Sequence, residues 1–360
     1  MREDLPSVLQ SLHPDDLHVA RDYFQQIDVS PGTVVIQEGD LDPALALIIF
    51  GELTVDTKGA RVGRVGSGDV IGEIGLFGSR QRSATVTAAA PSRLWVLDSD
   101  GYRALRTMGS SVATAIEEHA MEQLSERLRA VGDRISGLAV GADRSGVTPT
   151  PKVLDRILGA VGGGGGLLPG MVNKRKALAA SPLFAGAPAE ALEELASEFT
   201  VVQARRGHVF CQEGDTGSNL YVLAKGSIEV LARTQRSGTE RLATLTVGDA
   251  FGICSLVSKH PRMASCVARE NTRVLSLDGL AFAGLAPGHN MASSVLRVAL
   301  IRAMAAQLCY ADQQLAAYER ERQSAENVDR AYESVMRAAA ALESHGNYLG
   351  EEGRDLPYLY

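Results

Sequence analysis

Residues 31–55 read PGTVVIQEGDLDPALALIIFGELTV, and residues 206–230 read RGHVFCQEGDTGSNLYVLAKGSIEV. Gln37-Glu38-Gly39-Asp40 returns as Gln212-Glu213-Gly214-Asp215, and Gly51 returns as Gly226, so both stretches keep one offset of 175 residues. Further on, GDVIGEIGLFGSRQRSATVTA (residues 68–88) lines up with GDAFGICSLVSKHPRMASCVA (residues 248–268) at an offset of 180. The added length falls in the polar stretch ARTQRSGTER, where a hairpin loop can grow at little cost. A register kept through two blocks and changed only inside a loop marks an internal duplication.

Each repeat reads as short strands. Thr33–Ile36, Ala44–Phe50, Leu53–Asp56, Ser83–Ala88 and Arg93–Leu97 are apolar or β-branched and are punctuated by Gly and Asp, the pattern of a hairpin-built barrel or sandwich. Helical segments flank them, one opening near Pro14 and one at Pro188, with proline at the helix start and acids in the first turn. After each strand region a longer helix is expected. The first covers Ser111–Ile135. The second, from Ala292 to about Leu342, is long enough to suggest helix pairing between chains, or two helices with a break near Asn327. Between the repeats, residues 137–176 hold GADRSGVTPTP and the glycines 162–166, a flexible linker in composition with room for a short helix over Val153–Val161. No Gly-Lys-Ser/Thr follows those glycines, as a phosphate-cradling P-loop requires. The expected division is therefore 1–136, a linker 137–176, a second domain 177–310, and a C-terminal helix and tail 311–360.

With 45% apolar and 22% charged residues, the chain has the composition of a folded soluble protein with enough apolar surface for two cores. No uninterrupted apolar run approaches the length of a membrane span, and the polar, acidic N-terminus lacks a signal-peptide core, so a cytoplasmic location is expected. A net charge of −7 argues against general affinity for nucleic acid. The four cysteines, Cys211, Cys254, Cys266 and Cys309, form no C-x-x-C pair and read as reduced, partly buried thiols. The seven histidines show no metal spacing, and no metal is expected; His13, His18 and His119 read as helix-surface residues.

The chemistry sits in Gly72-Glu73-Ile74-Gly75 and, nine residues beyond Glu73, in Arg82-Ser83-Ala84. A guanidinium meets two phosphate oxygens with a planar fork. Backbone N–H groups at a turn or helix start add donors, and a carboxylate accepts from a ribose hydroxyl. The plain alternative is a surface ion pair. GDVIGEIGLFGSRQRSATV resembles the phosphate-binding cassette of the cyclic-nucleotide-binding family, found in bacterial catabolite activators, kinase regulatory subunits and gated channels. The resemblance extends over both repeats and implies a mainly β fold with flanking α. That fold is two tandem jelly-roll-like β-barrels, each with N-terminal and C-terminal helices. By that likeness Glu73 holds the ribose 2′-hydroxyl, Arg82 the cyclic phosphate, and Gly72, Ile74, Ser83 and Ala84 line the site. The ligand is cAMP or cGMP, with cAMP favoured through Ser83, and the helix after the barrel covers the base.

The second cassette departs from this pattern. Arg262 matches Arg82, but Ile253 stands where Glu73 does and cannot accept from a hydroxyl. A hydrogen bond to a charged group contributes about 1.5–3 kcal/mol, so its loss lowers affinity roughly ten- to a hundredfold. Gly252, Arg262, Met263 and Ala264 then form a weak, degenerate or retuned anion site. The reading that follows is a non-catalytic sensor that signals by helix rearrangement to an unidentified protein effector and assembles as a homodimer or larger homo-oligomer through its helices. The alternative is a scaffold whose barrels bind no nucleotide. A helix-turn-helix regulator is disfavoured because acids outnumber bases from Asp312 onward. Kinase inhibition is disfavoured because no Arg-Arg-x-Ser/Ala segment precedes Pro31. No nucleophile–base pair or paired catalytic carboxylates suggest an enzyme.

Overall fold

The structure is a computed structural model and describes residues 5–79, 81–141, 172–234 and 238–346. The Gly-rich run, the short helix expected over Val153–Val161, Arg80 and the aromatic tail with Tyr348, Tyr358 and Tyr360 lie outside the described residues.

The first half runs α1 (Pro14–Arg21), β1 (Phe24–Val29), β2 (Val34–Ile36), β3 (Leu45–Phe50), β4 (Glu52–Thr57), β5 (Ala60–Gly66) and β6 (Val70–Ile71). It continues with a single wide helical turn (Ile74–Ser79), β7 (Thr85–Ala88), β8 (Ser92–Leu97), α2 (Ser99–Thr107) and α3 (Ser111–Gly141). The second half repeats the plan. It comprises α4 (Lys174–Ala179), α5 (Ala189–Glu198), β9 (Thr200–Ala204), β10 (Val209–Cys211), β11 (Leu220–Lys225), β12 (Ile228–Thr234), β13 (Gly238–Leu245) and β14 (Ala250–Phe251). It ends with α6 (Ile253–Ser258), β15 (Ser265–Ala268), β16 (Thr272–Leu277), α7 (Gly279–Leu285) and α8 (Met291–Gly346).

All pairings are antiparallel and give two four-stranded sheets per domain: β1-β8-β3-β6 with β2-β7-β4-β5, then β9-β16-β11-β14 with β10-β15-β12-β13. Among the described strands no ladder joins the sheets of a domain, so the barrels expected from sequence are open, two-sheet jelly-roll-like folds. Leu45 and Leu47 of β3, Leu53 and Val55 of β4, Val86 of β7 and Leu94 of β8 share one buried cluster, which holds the two sheets face to face. The offset between repeats changes inside the β12–β13 hairpin. Its first-domain counterpart closes in a two-residue turn, with Lys58 at φ 51° and Gly59 at φ 79°, the primed geometry that matches strand twist. Gly51 and Gly226, at φ 107° and 94°, recur for a steric reason. A Cβ on either would run into the side chain of Ser92 or Thr272 on the neighbouring strand.

The C-terminal helices differ most from the sequence expectation. The second is one continuous helix, Met291–Gly346, without the break expected near Asn327, and it packs along α3 of the same chain. Its apolar stripe, Leu296, Leu300, Met304 and Leu308, is fully buried. Met291–Arg320 is long and apolar enough to cross a membrane by length and composition, yet 72% of its most apolar window is buried inside the protein. At the centre of the α3–α8 contact Glu117 Oε2 accepts from Arg297 Nε at 2.6 Å. Tyr102 Oη donates to Glu117 Oε1 at 2.6 Å, and Arg297 Nη1 donates to the Gly288 carbonyl at 2.7 Å. His119 is not a surface residue: its Nε2 is buried without a partner.

Candidate nucleotide-binding site

The Gln37-Glu38-Gly39-Asp40 motif is a tight turn that clamps the strand carrying the arginine. Arg82 N donates to Asp40 O at 2.8 Å, Gly39 N donates to Arg82 O at 2.9 Å, and Asp40 N closes the turn on Gln37 O at 3.2 Å. Arg262 and the turn Gln212–Asp215 repeat these bonds. The motif that revealed the duplication thus positions the guanidinium and does not touch the ligand space.

Glu73 is 3% exposed and Arg82 6%, so neither is a surface ion pair. They face one small cavity with Gly72, Ile74, Gly75, Ser83 and Ala84. Arg82 Nη1 donates to the Gly72 carbonyl at 3.3 Å, and Nη2 lies 3.5 Å from the exposed Asp42 carboxylate. Burial holds the Arg82 guanidinium below its ordinary pKa, against the pull of Asp42 and Glu73. Gly72 sits at φ 84°, and a Cβ there would stand 2.6 Å from Arg82 Nη1 and 2.5 Å from the Ala44 carbonyl. Only glycine lets the guanidinium lie against this turn.

Several participants were not legible in sequence. Arg127 of α3 donates to Glu73 Oε1 at 2.9 Å. From the other domain, α8 lies across the cassette: Arg302 Nε donates to Phe77 O at 2.7 Å, and the Cys309 thiol lies beside Ser83. Asp312, 5% exposed, is raised to about 6 by burial and by Glu73, against Arg127 and Arg134. With Arg127 on its wall the cassette cavity is only about 30 Å³, room for a water. A larger cavity of about 610 Å³ lies at the domain junction along α8, and one of about 360 Å³ lies within the second domain, between α8 and the start of its own cassette at Ala250 and Ile253.

The second cassette is occupied by its own side chains. Arg262 is 6% exposed; Nη2 donates to the Asn219 carbonyl at 2.9 Å, and Nη1 to the Gly252 carbonyl at 3.1 Å and to the Ser255 hydroxyl. Ser255 stands where the first repeat has Gly75, a second departure beside Ile253. Tyr221 stacks on Phe251 at 4.8 Å where the first repeat has Ala46 and Ile71. Ala264 follows Arg262 into the strand, while Met263 is half exposed and lies against Gly132 of α3. Across the junction Ser125 Oγ donates to Cys254 O at 3.2 Å. Each domain's last helix therefore covers the other domain's cassette. Among the described residues no three His, Cys, Asp or Glu side chains converge as a metal site needs.

The family model for the cyclic nucleotide-binding domain matches residues 26–108 and 201–287. The chain carries two tandem cyclic nucleotide-binding domains. The first of these domains contains the Glu73–Arg82 pair, the second the altered cassette at Arg262. The chain is 38% identical over 123 residues to the cyclic AMP receptor protein of Thermus thermophilus, covering 32% of this chain and 56% of that protein. It is 23% identical over 256 residues to the cGMP-dependent protein kinase egl-4 of Caenorhabditis elegans, covering 71% of this chain and 26% of the kinase. The chain thus spans about half of the first relative and a quarter of the second. Among solved structures, the regulatory domain of Toxoplasma gondii PKA with cAMP matches at 20% identity and TM-score 0.29, over 79% of this chain and 91% of that one. A cyclic nucleotide-binding domain from Methylobacillus flagellatus KT matches at 24% identity and TM-score 0.33, over 41% and 77%.

Proposed function

We propose that the chain is a non-catalytic cytoplasmic sensor that binds a cyclic nucleotide, cAMP in the first instance, in its first domain and relays occupancy through α3 and α8 to a protein effector. The observation that carries this reading is the Glu73–Arg82 pair, buried together on one cavity wall with Gly72 cut away for the guanidinium. A buried arginine whose ion-pair contact is the exposed Asp42, while the nearby Glu73 accepts from Arg127, is poised for an anion. The 38% identity to a protein named cyclic AMP receptor protein supports cAMP over cGMP.

The relay follows from the same geometry. A cavity of about 30 Å³ does not admit a nucleotide while Arg127 holds Glu73 and α8 lies on the cassette turn. Ligand binding then requires α8 or α3 to shift, and a ligand moves that balance only by its preference for the open state. The occupied second cassette favours a supporting role for the second domain: it presents α8 to the first rather than binding a nucleotide itself.

Calorimetric titration of the full-length protein with cAMP and then cGMP, beside Arg82→Ala, tests this reading. One site per chain, lost in Arg82→Ala, is the expected result. No heat with either nucleotide from a folded protein overturns the sensor reading and favours the scaffold.

A further inference from the structure

Cys211 on β10 and Cys266 on β15 stand directly opposite each other in the antiparallel ladder. Their counterparts in the first repeat are Ile36 on β2 and Val86 on β7, paired in the same way. Two aliphatic side chains satisfy the packing at this place, so the fold does not require thiols there. Opposed residues of an antiparallel pair have Cα atoms about 4.5–5.5 Å apart, within the roughly 4.4–6.8 Å that a disulfide spans. Both cysteines are free, and Cys211 Sγ donates to the Ala264 carbonyl at 3.8 Å.

The electrostatics match the geometry. The neighbouring Cys266 and the nearby Arg262 bring the Cys211 thiol down to about 7, against the effect of burial. Cys266 is raised by Cys211 and by burial. Arg262 is itself buried, and its Nε has no partner. The remaining two cysteines make an internal control, since burial pushes both Cys254 and Cys309 up to about 11.

We propose that Cys211 and Cys266 are an oxidisable dithiol, which a peroxide-class oxidant converts into a cross-strand disulfide beside Arg262. The Cys211 thiolate attacks one peroxide oxygen; the O–O bond breaks, and the departing hydroxide takes up a proton as water, leaving a sulfenic acid. The Cys266 sulfur then attacks the Cys211 sulfur. The S–O bond breaks, the S–S bond forms, and the hydroxyl leaves with the Cys266 proton as a second water. Two thiols lose two electrons in all, and one peroxide becomes two waters. The side chains are 8% and 5% exposed, so a small oxidant reaches them where a bulky disulfide such as oxidised glutathione does not. Oxidation removes the thiolate facing Arg262, which delivers the change to the second cassette. The inference does not depend on nucleotide binding.

The test treats full-length protein with hydrogen peroxide or with oxidised glutathione, then alkylates it under denaturing conditions and maps its peptides without reduction. Peroxide should remove two hydrogens from the intact mass and link Cys211 to Cys266, with Cys254 and Cys309 alkylated; glutathione should leave four free thiols. Cys266→Val carries the residue of the first repeat and so should keep the fold. In it Cys211 should stop at a sulfenic acid trapped by a cyclic diketone. Four alkylated thiols after peroxide, or linkage through Cys254 or Cys309 instead, overturns the proposal.

Discussion

Asp312 shows how one buried carboxyl sets the pH response of the first cassette. Its pKa rises from 3.8 to about 6, so the folded state holds this proton more tightly than the unfolded chain. The docked arrangement therefore gains stability as pH falls from about 6 towards 3.8 and loses it as pH rises through that window. At neutral pH the ionised group costs the docked state about 3 kcal/mol. Asp312→Asn should melt higher than the native protein at pH 7, with a gap that closes on acidification. Thermal melts across the range check this, and a gap independent of pH would refute it. In the second cassette Ser255 and Ile253 are the two residues that remove a ribose acceptor and occupy the guanidinium. Ile253→Glu combined with Ser255→Gly should raise the nucleotide stoichiometry from one site per chain to two, read by calorimetric titration.

The α3–α8 pair is held by a buried ion pair whose every polar atom is committed. Glu117 and Arg297 are 1% and 2% exposed, and Tyr102, Ser294 and Thr114 complete the network. Removing one member leaves the other charged and unsatisfied in the interior. Glu117→Ala should cost about 3–5 kcal/mol, measured as a lower midpoint in urea at unchanged slope. Farther along α8, Arg302 pins the helix to the cassette turn through the Phe77 carbonyl. Deleting that bond with Arg302→Ala removes about 1 kcal/mol from the closed arrangement. Nucleotide affinity should then improve about fivefold. Weaker binding would show that α8 contributes to the bound site instead of closing it.

Across the whole molecule, one apolar cluster runs from Leu9 and Leu47 in the first domain through Ile116 and Leu124 of α3 to Leu300 and Leu308 of α8 and Leu220 in the second. The two last helices lie between the cassettes, α3 bonded to both and α8 pinned to the first, so neither domain buries its own surface completely. Unfolding should therefore be one cooperative transition in scanning calorimetry. Two resolved transitions would mean that the domains fold independently and that these helix contacts are weak.

Much of this architecture was present in the linear order of residues. The Gln-Glu-Gly-Asp turns, the glycines at 51 and 226, and the strands Leu45–Phe50 and Ser92–Leu97 were legible because they are local, apolar and duplicated. So were Glu73 and Arg82, nine residues apart across one turn. Strand Phe24–Val29 was not legible because half of its residues are polar and, at the sheet edge, none is fully buried, and Ala60–Gly66 because two glycines dilute its pattern. What tertiary structure alone decided were the convergences over long chain distance. Arg127 reaches Glu73 from α3, Asp312 arrives beside both from the other domain, and Cys211 meets Cys266 across a ladder. The long C-terminal helix carried an apolar stripe that demanded a partner, and the sequence could not say which. Packing supplied α3 of the same chain, because burying that stripe internally removes apolar surface from water without the entropy cost of bringing two chains together.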